Sequence, residues 1–300
     1  MSKMYQHFEY VSPQALKEAL SLYIKYKDEA KLIAGGTDLL VSMKNRDLAP
    51  ACIISLKDIP NLDFIQYEEN GLKIGALTRI SEIEKSATVK EKFPILHDAA
   101  SQFGSTQIRN MATVIGNLCR SVPSADMAPP LMALDAKVKL VSLSGERVVM
   151  LEDFFSGPGE NVLQSNEILT EIQIPNPGPY TLGTYLKMMA RAAVSIALAG
   201  VAVLITMNAG RTRIVDAKIV LGAVSPVPVR ATEAEEILKG KLVDDKLIEE
   251  ASQAAGETSS PISDIRCSAL YREQAVRVLV KRAIRKLLSF ARMPRGLPRG

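Results

Sequence analysis

A pair of adjacent glycines directly behind a short apolar run is the feature that most restricts this chain. In residues 31–40, KLIAGGTDLL, a strand-like segment ends at Gly35 and Gly36, and Leu39 begins a second apolar run. Two glycines let the backbone turn tightly and aim successive N–H groups at one point, a nest that suits a phosphate. The pattern is neither GxGxxG nor GxxxxGK[ST], so neither a Rossmann dinucleotide unit nor a P-loop follows. Asp38 would oppose a phosphate; it is better suited to capping the next segment or accepting from a sugar hydroxyl or backbone N–H. On its own the turn reads first as a tight connection from strand to helix.

Apolar positions at helical spacing predict a helix over 14–26, and short strands are expected at 31–34, 52–56 and 72–75. A capped helix start falls around 78–86, and 93–103 reads as helix. Runs at 137–141 and 148–150 flank Ser144-Gly145 as a hairpin, and 168–174 alternates apolar and polar residues before the Pro-rich break at 175–179. Beyond the break, 197–207 and 213–221 flank Asn208-Ala-Gly210 as a second hairpin, followed by helices over 232–239, 244–255 and 269–291. The longest apolar stretch, 192–207, is sixteen residues and contains Ser195 and Gly200. A bilayer asks for about 20, so the stretch reads as buried core. The fold class is α+β, in two modules split near residue 178.

At 47% apolar residues, 300 residues suffice for a sizeable core. Seven Lys and Arg and no acid follow residue 280, leaving the rest of the chain mildly acidic, which disfavours a general nucleic-acid surface. Cys52, Cys119 and Cys267 are dispersed, with no CxxC, and His7 and His97 form no HxH or HExxH. A disulfide framework, a metal held by this chain and a histidine-centred triad therefore lack raw material. No apolar run follows a basic start in MSKMYQHFEY, and a cytoplasmic location is the expectation by default.

Residues 102–136 are the second candidate site: a polar loop region offering Thr106, Thr113, Asn117, Ser121 and Ser124 as neutral hydrogen-bonding groups, with Arg109 and Arg120 as cations. So many small polar groups between two apolar regions suit a large polar ligand.

These two stretches together resemble the FAD-binding medium subunit of the molybdenum hydroxylases, the group of xanthine, carbon monoxide and nicotinate dehydrogenases and aldehyde oxidoreductases. The resemblance rests on AGGTDLL (34–40), QIRN (107–110) with ATVIGN (112–117), and PSAD (123–126). It continues through EILTEIQIP (167–175), LGAVSPVPVRATEAEEILKGK (221–241) and SDIRCSALYR (263–272), six motifs in order over nearly the whole chain.

The resemblance implies that Leu32, Ile33, Ala34, Gly35, Gly36, Thr37, Asp38 and Leu39 wrap the FAD pyrophosphate and adjacent ribose. Thr113, Val114, Ile115, Gly116 and Asn117 would form a second phosphate nest, and Phe103 would lie against the cofactor. Asp126 falls where a carboxylate accepts hydrogen bonds from FAD, Leu169 or its neighbour Ile168 where an apolar side chain meets the isoalloxazine edge, and Lys187 where a cation reaches the ring's polar side. Ile115 stands where the family has glycine. A β-branched residue tolerates φ > 0 poorly, so either this position has ordinary φ or the loop sits differently.

The fold so implied is a two-subdomain FAD-binding region of the vanillyl-alcohol-oxidase type at 1–177 (1–60 and 61–177), then a small α+β domain at 178–288 and a disordered basic tail at 289–300. The function implied is electron transfer: a large partner subunit carries the molybdenum cofactor, a small one carries two [2Fe-2S] clusters, and this chain carries FAD and passes electrons to NAD+, oxygen, a quinone or another acceptor. A dimer of heterotrimers is the associated assembly. Two alternatives stay open, a self-sufficient flavin oxidase and a non-catalytic subunit that has lost FAD.

Overall fold

The computed structural model describes residues 7–191 and 194–292. The chain opens with β1 (Glu9–Val11), α1 (Leu16–Tyr26), β2 (Ala30–Ile33), α2 (Leu39–Asn45) and β3 (Cys52–Ser55). Their strands form a parallel sheet in the order β1-β3-β2. β3 is buried at all four positions: β1 and β2 flank it and α1 packs against it.

The next segment comprises β4 (Ile65–Glu68), β5 (Gly71–Gly75), α3 (Ile80–Lys85), α4 (Ala87–Lys92), α5 (Pro94–Ser101), α6 (Thr106–Arg109), α7 (Val114–Arg120) and α8 (Ala128–Ala133). It continues with β6 (Lys137–Ser142), β7 (Gly145–Met150), β8 (Phe155–Gly157), β9 (Glu160–Asn161) and β10 (Ile168–Pro175). β4-β5-β10-β6-β7 is an antiparallel sheet, and β8 and β9 make a small separate ribbon. The loop expected over 102–136 is instead interrupted by three short helices that take up about half of it. Ser105 and Thr113 supply N-caps, their hydroxyls accepting from the N–H groups of Ile108 and Gly116, and these short capped turns carry too little apolar periodicity to be read from sequence.

The last part holds β11 (Thr181–Met189), β12 (Ala197–Met207), β13 (Ile214–Gly222) and β14 (Val229–Arg230), an antiparallel meander, then α9 (Thr232–Leu238), α10 (Asp245–Thr258) and α11 (Ala269–Arg292). α11 runs to Arg292, so residues 289–292 of the expected tail are helical; the remainder of that tail, 293–300, lies outside the described residues. The long apolar stretch is the central strand β12. Val201, Val203 and Ile205 face a core shared with α9, α10 and α11, while Ala202 and Leu204 join the core of the preceding region. A strand buried on both faces needs no polar alternation. β11 divides in the same way, with Leu182, Leu186 and Met188 on the helix side and Tyr185 on the other.

No helix among the described residues is long and apolar enough to cross a membrane. Leu118, fully buried in α7, anchors that helix in the first core. Leu118→Ala is expected to cost about 3 kcal/mol of unfolding free energy, read as a lower urea midpoint at unchanged slope.

Candidate functional site

The two glycine-containing segments meet. A Cβ added to Gly35 would lie 2.1 Å from the Met111 carbonyl oxygen and 2.9 Å from the Ala112 Cα, so only glycine permits this backbone contact. The second segment is itself pinned: Ile80 N–H donates to the Ala112 carbonyl (2.9 Å), Val114 N–H to the Thr78 carbonyl (3.2 Å), and Arg79 bridges Thr113. Gly36 adopts φ +76°, a left-handed conformation that frees the chain to turn into α2.

Around this contact lies a cleft of about 590 Å³, within the range of small-molecule and cofactor sites. Leu32 to Leu39 line it as a continuous run, facing Thr113, Ile115, Gly116 and Asn117, with Phe103, Ile168 and Leu169 adding apolar surface. Val114 is the exception in its segment, being wholly buried in the core beneath. Ile115 belongs to the first turn of α7 and is absent from the positive-φ residues, so the first of the two expectations for it holds: its backbone is ordinary and a side chain is accommodated. Asp38 occupies the N-cap position of α2, but its side chain makes no capping hydrogen bond and it lines the cleft.

Lys31 and Arg120 also line the cleft, and neither has an ion-pair partner among the described residues. Sequence reasoning noted Arg120 as a cation and passed over Lys31, whose position one residue before the expected loop was the available signal. It also missed the wall formed by residues 159–167. Asn161 ties this wall to α7 by donating to the Cys119 carbonyl (3.1 Å) and Ser121 Oγ (3.0 Å). Glu167, 6% exposed, accepts from Arg147 Nε (2.6 Å) and Nη2 (2.8 Å) and from the Gln164 N–H (2.9 Å). Nothing in the local sequence marks Glu167 as buried.

Asp126 and Lys187 are brought together but not to the cleft surface. Lys187 Nζ donates to Asp126 Oδ2 (2.7 Å), and their side chains are 9% and 1% exposed for Asp126 and Lys187 respectively. Tyr185 Oη donates to the other oxygen, Oδ1 (3.0 Å). In this low-dielectric position the carboxylate expected to accept from FAD and the ammonium expected to reach its ring are each satisfied first by the other. Burial pushes the Asp126 carboxyl above its usual range, with Lys187 and the Tyr185 hydrogen bond opposing. The pair sits behind the cleft wall, since Lys187 also reaches the Gln102 carbonyl (3.4 Å) next to Phe103, and Met127 N–H donates to Asn117 Oδ1 (3.2 Å).

Cys119 lines the cleft, where burial pushes its thiol up to about 12, so it is a neutral group there. His97, on α5, does not line it. Among the described residues no three His, Cys, Asp or Glu are placed to hold a metal ion.

Two outcomes follow from the charges. Lys187→Met strands a buried carboxylate and is expected to cost about 3 kcal/mol; the double change Asp126→Asn with Lys187→Met should recover most of that loss in chemical denaturation. The Arg147 guanidinium holds the Glu167 carboxyl below its usual range. A carboxylate depressed on folding contributes stability that is complete above its unfolded pKa, about 4.3, and is lost as pH falls through the lower folded value. Thermal unfolding from pH 7 down to pH 3 should therefore show a loss that Glu167→Gln diminishes, with hydrogen exchange in 160–167 rising over the same interval.

The comparisons with known proteins agree with this geometry. Residues 6–177 match the model of the FAD binding domain in molybdopterin dehydrogenase, and 184–287 that of the CO dehydrogenase flavoprotein C-terminal domain. The chain is 35% identical to the glyceraldehyde dehydrogenase medium chain of Sulfolobus acidocaldarius over 93% of its own length and 98% of that protein's. It is 32% identical to the nicotinate dehydrogenase FAD-subunit of Eubacterium barkeri, covering 92% and 94%. A chain of the carbon monoxide dehydrogenase from Hydrogenophaga pseudoflava superposes with a TM-score of 0.91 at 31% identity, covering 95% of this chain and 99% of that one. With both family models matched and the fold shared, the chain belongs to the FAD-binding medium subunits of the molybdenum hydroxylase family, the flavoprotein subunits of oxidoreductase complexes.

Proposed function

We propose that this chain is the electron outlet of a three-component molybdenum hydroxylase and holds FAD non-covalently in the cleft between Leu32–Leu39 and Thr113–Asn117. The observation that carries the reading is the backbone contact at Gly35: it sets two segments side by side with main-chain groups and two cations, unpaired among the described residues, around one cleft. Lys31 and Arg120 would neutralise the pyrophosphate, and the uncapped carboxylate of Asp38 would accept from a ribose hydroxyl. Phe103, Ile168 and Leu169 give the apolar contact that an isoalloxazine requires. Bound FAD would supply the redox chemistry, taking single electrons from [2Fe-2S] clusters and delivering them to NAD+, oxygen, a quinone or another acceptor.

The protein's share is binding, orientation and electrostatics. Asp126, Tyr185 and Lys187 form a charge-compensated cluster behind Phe103 and Asn117. A cation in that cluster favours the negative charge that reduction places on a nearby ring. The neutral Cys119 thiol supports non-covalent attachment, because a covalent link through sulfur starts from the thiolate. The partners on this reading are a large molybdenum-cofactor subunit and a small iron-sulfur subunit, arranged as a dimer of heterotrimers.

The chain purified with whatever accompanies it should show oxidised-flavin absorbance, and acetone precipitation should release the chromophore into the supernatant. Gly36→Val places a branched side chain at φ +76° in the wall of the cleft and is expected to lower the flavin content more than tenfold while a cooperative unfolding transition persists. Undiminished flavin in that variant, or a colourless wild-type chain that cannot be reconstituted with FAD, contradicts the proposal.

A further inference from the structure

Tyr185 is a large, fully buried side chain whose hydroxyl crosses from one structural region to the other: it lies on β11 and bonds Asp126, which precedes α8. Tyr185 and Lys187 are two residues apart on one strand and so project to the same face. They take one Asp126 oxygen each, Oδ1 at 3.0 Å and Oδ2 at 2.7 Å. The strand paired with β11 makes room for this arrangement. A Cβ at Gly200, in the interior of β12, would lie 2.5 Å from the Tyr185 hydroxyl oxygen. A strand interior disfavours glycine unless another group approaches its backbone closely, and here that group is the phenol. Gln102 completes the frame, donating from Nε2 to the Tyr185 carbonyl (3.2 Å) while its own carbonyl accepts from Lys187.

From this we infer that Tyr185, with Gly200 as the space it needs, is a positioning residue: it fixes the Asp126 carboxylate so that the Lys187 ammonium keeps its counter-charge behind the cleft wall. The inference rests on the reading of the cleft as the FAD site for its effect on flavin, but not for its effect on Asp126. The charged and titratable groups facing Asp126 are Lys187 and Tyr185, both from β11. Burial and the Asp126 charge raise the phenol well above its ordinary range, so it is a neutral donor throughout the working range of pH. Without that donor the buried carboxylate is stabilised by Lys187 alone and keeps its proton to higher pH. Lys187 is then a cation without its counter-charge over that interval.

The test is Tyr185→Phe in the full chain, read in two ways. Without flavin, thermal unfolding is followed from pH 4 to pH 9. A carboxyl raised on folding makes stability fall as pH rises from its unfolded to its folded value. The deficit of Tyr185→Phe relative to wild type is therefore expected to widen with rising pH and then level off. Gly200→Ala, which displaces the phenol, should reproduce that profile, and in an Asp126→Asn background Tyr185→Phe should leave no pH-dependent difference. With FAD bound, the pH dependence of the flavin's reduction equilibrium against a reference dye should be displaced to higher pH in Tyr185→Phe relative to wild type. A deficit constant across pH, or one that persists unchanged with Asp126→Asn, overturns the inference by making the hydroxyl merely a packing group. A wild-type chain that takes up no FAD overturns the proposed function instead, and the flavin-free profile still decides the role of Tyr185.

Discussion

Two backbones touching at Gly35 are the contact on which the site depends. β2 delivers the first glycine segment from a parallel sheet, and the turn between α6 and α7 delivers the second. Neither segment encloses anything alone. The Met111 carbonyl lies where any Cβ at position 35 would have to go, so the absence of a side chain is a condition for the two regions to close on each other. The bridge between Arg79 and Thr113 then holds the second segment from behind, through hydrogen bonds to Thr78 and Ile80. Rigid placement of this kind is what a preorganised cofactor site requires.

Charge is handled in two contrasting ways around the cleft. Lys31 and Arg120 line the cleft without an ion-pair partner among the described residues, where an anionic ligand would meet them at little desolvation cost. Asp126 and Lys187 are withdrawn from water and compensate one another. A buried pair adds little net stability, because desolvation offsets most of the Coulomb gain, but losing one member costs about 3 to 5 kcal/mol. Its value is therefore geometric, tying β11 to the region that carries the cleft. A second tie lies nearby, where Thr184 Oγ1 donates to Asp98 Oδ2 (2.6 Å) and Lys286 on α11 donates to Thr184 Oγ1 (2.9 Å). Through these contacts the last sheet, whose β12 is apolar on both faces, serves as a floor for α5 and α8 as well as a core for its own helices.

Much of the chain was legible because its elements are locally consistent. The helix over 14–26 announced itself by apolar spacing, and the hairpins at Ser144-Gly145 and Asn208-Ala-Gly210 by their turn residues. Other elements were not readable in this way. β1 and β4 are three and four residues long and mostly exposed, and β11 carries TLGTYLKMM, which has no clean alternation because both its faces are covered. The helices within 102–136 depend on single caps and on burial of Pro129 and Pro130 in α8.

What the sequence determined by itself is the set of backbone possibilities and the family: glycines at 35 and 36, and the order of the motifs. What only the tertiary structure decided is which groups face the cleft. Asp126 and Lys187 lie 61 positions apart, and no local rule says whether they meet a ligand or each other. Val114 and Ile115 are neighbours in one motif and the helical turn beginning there buries both, yet only Ile115 also lines the cleft. Glu167 is buried only because a distant strand brings Arg147 to it, and Lys31 is left without an ion-pair partner among the described residues. Burial and pairing are properties of contacts between remote segments, and those contacts exist only once the sheets have packed.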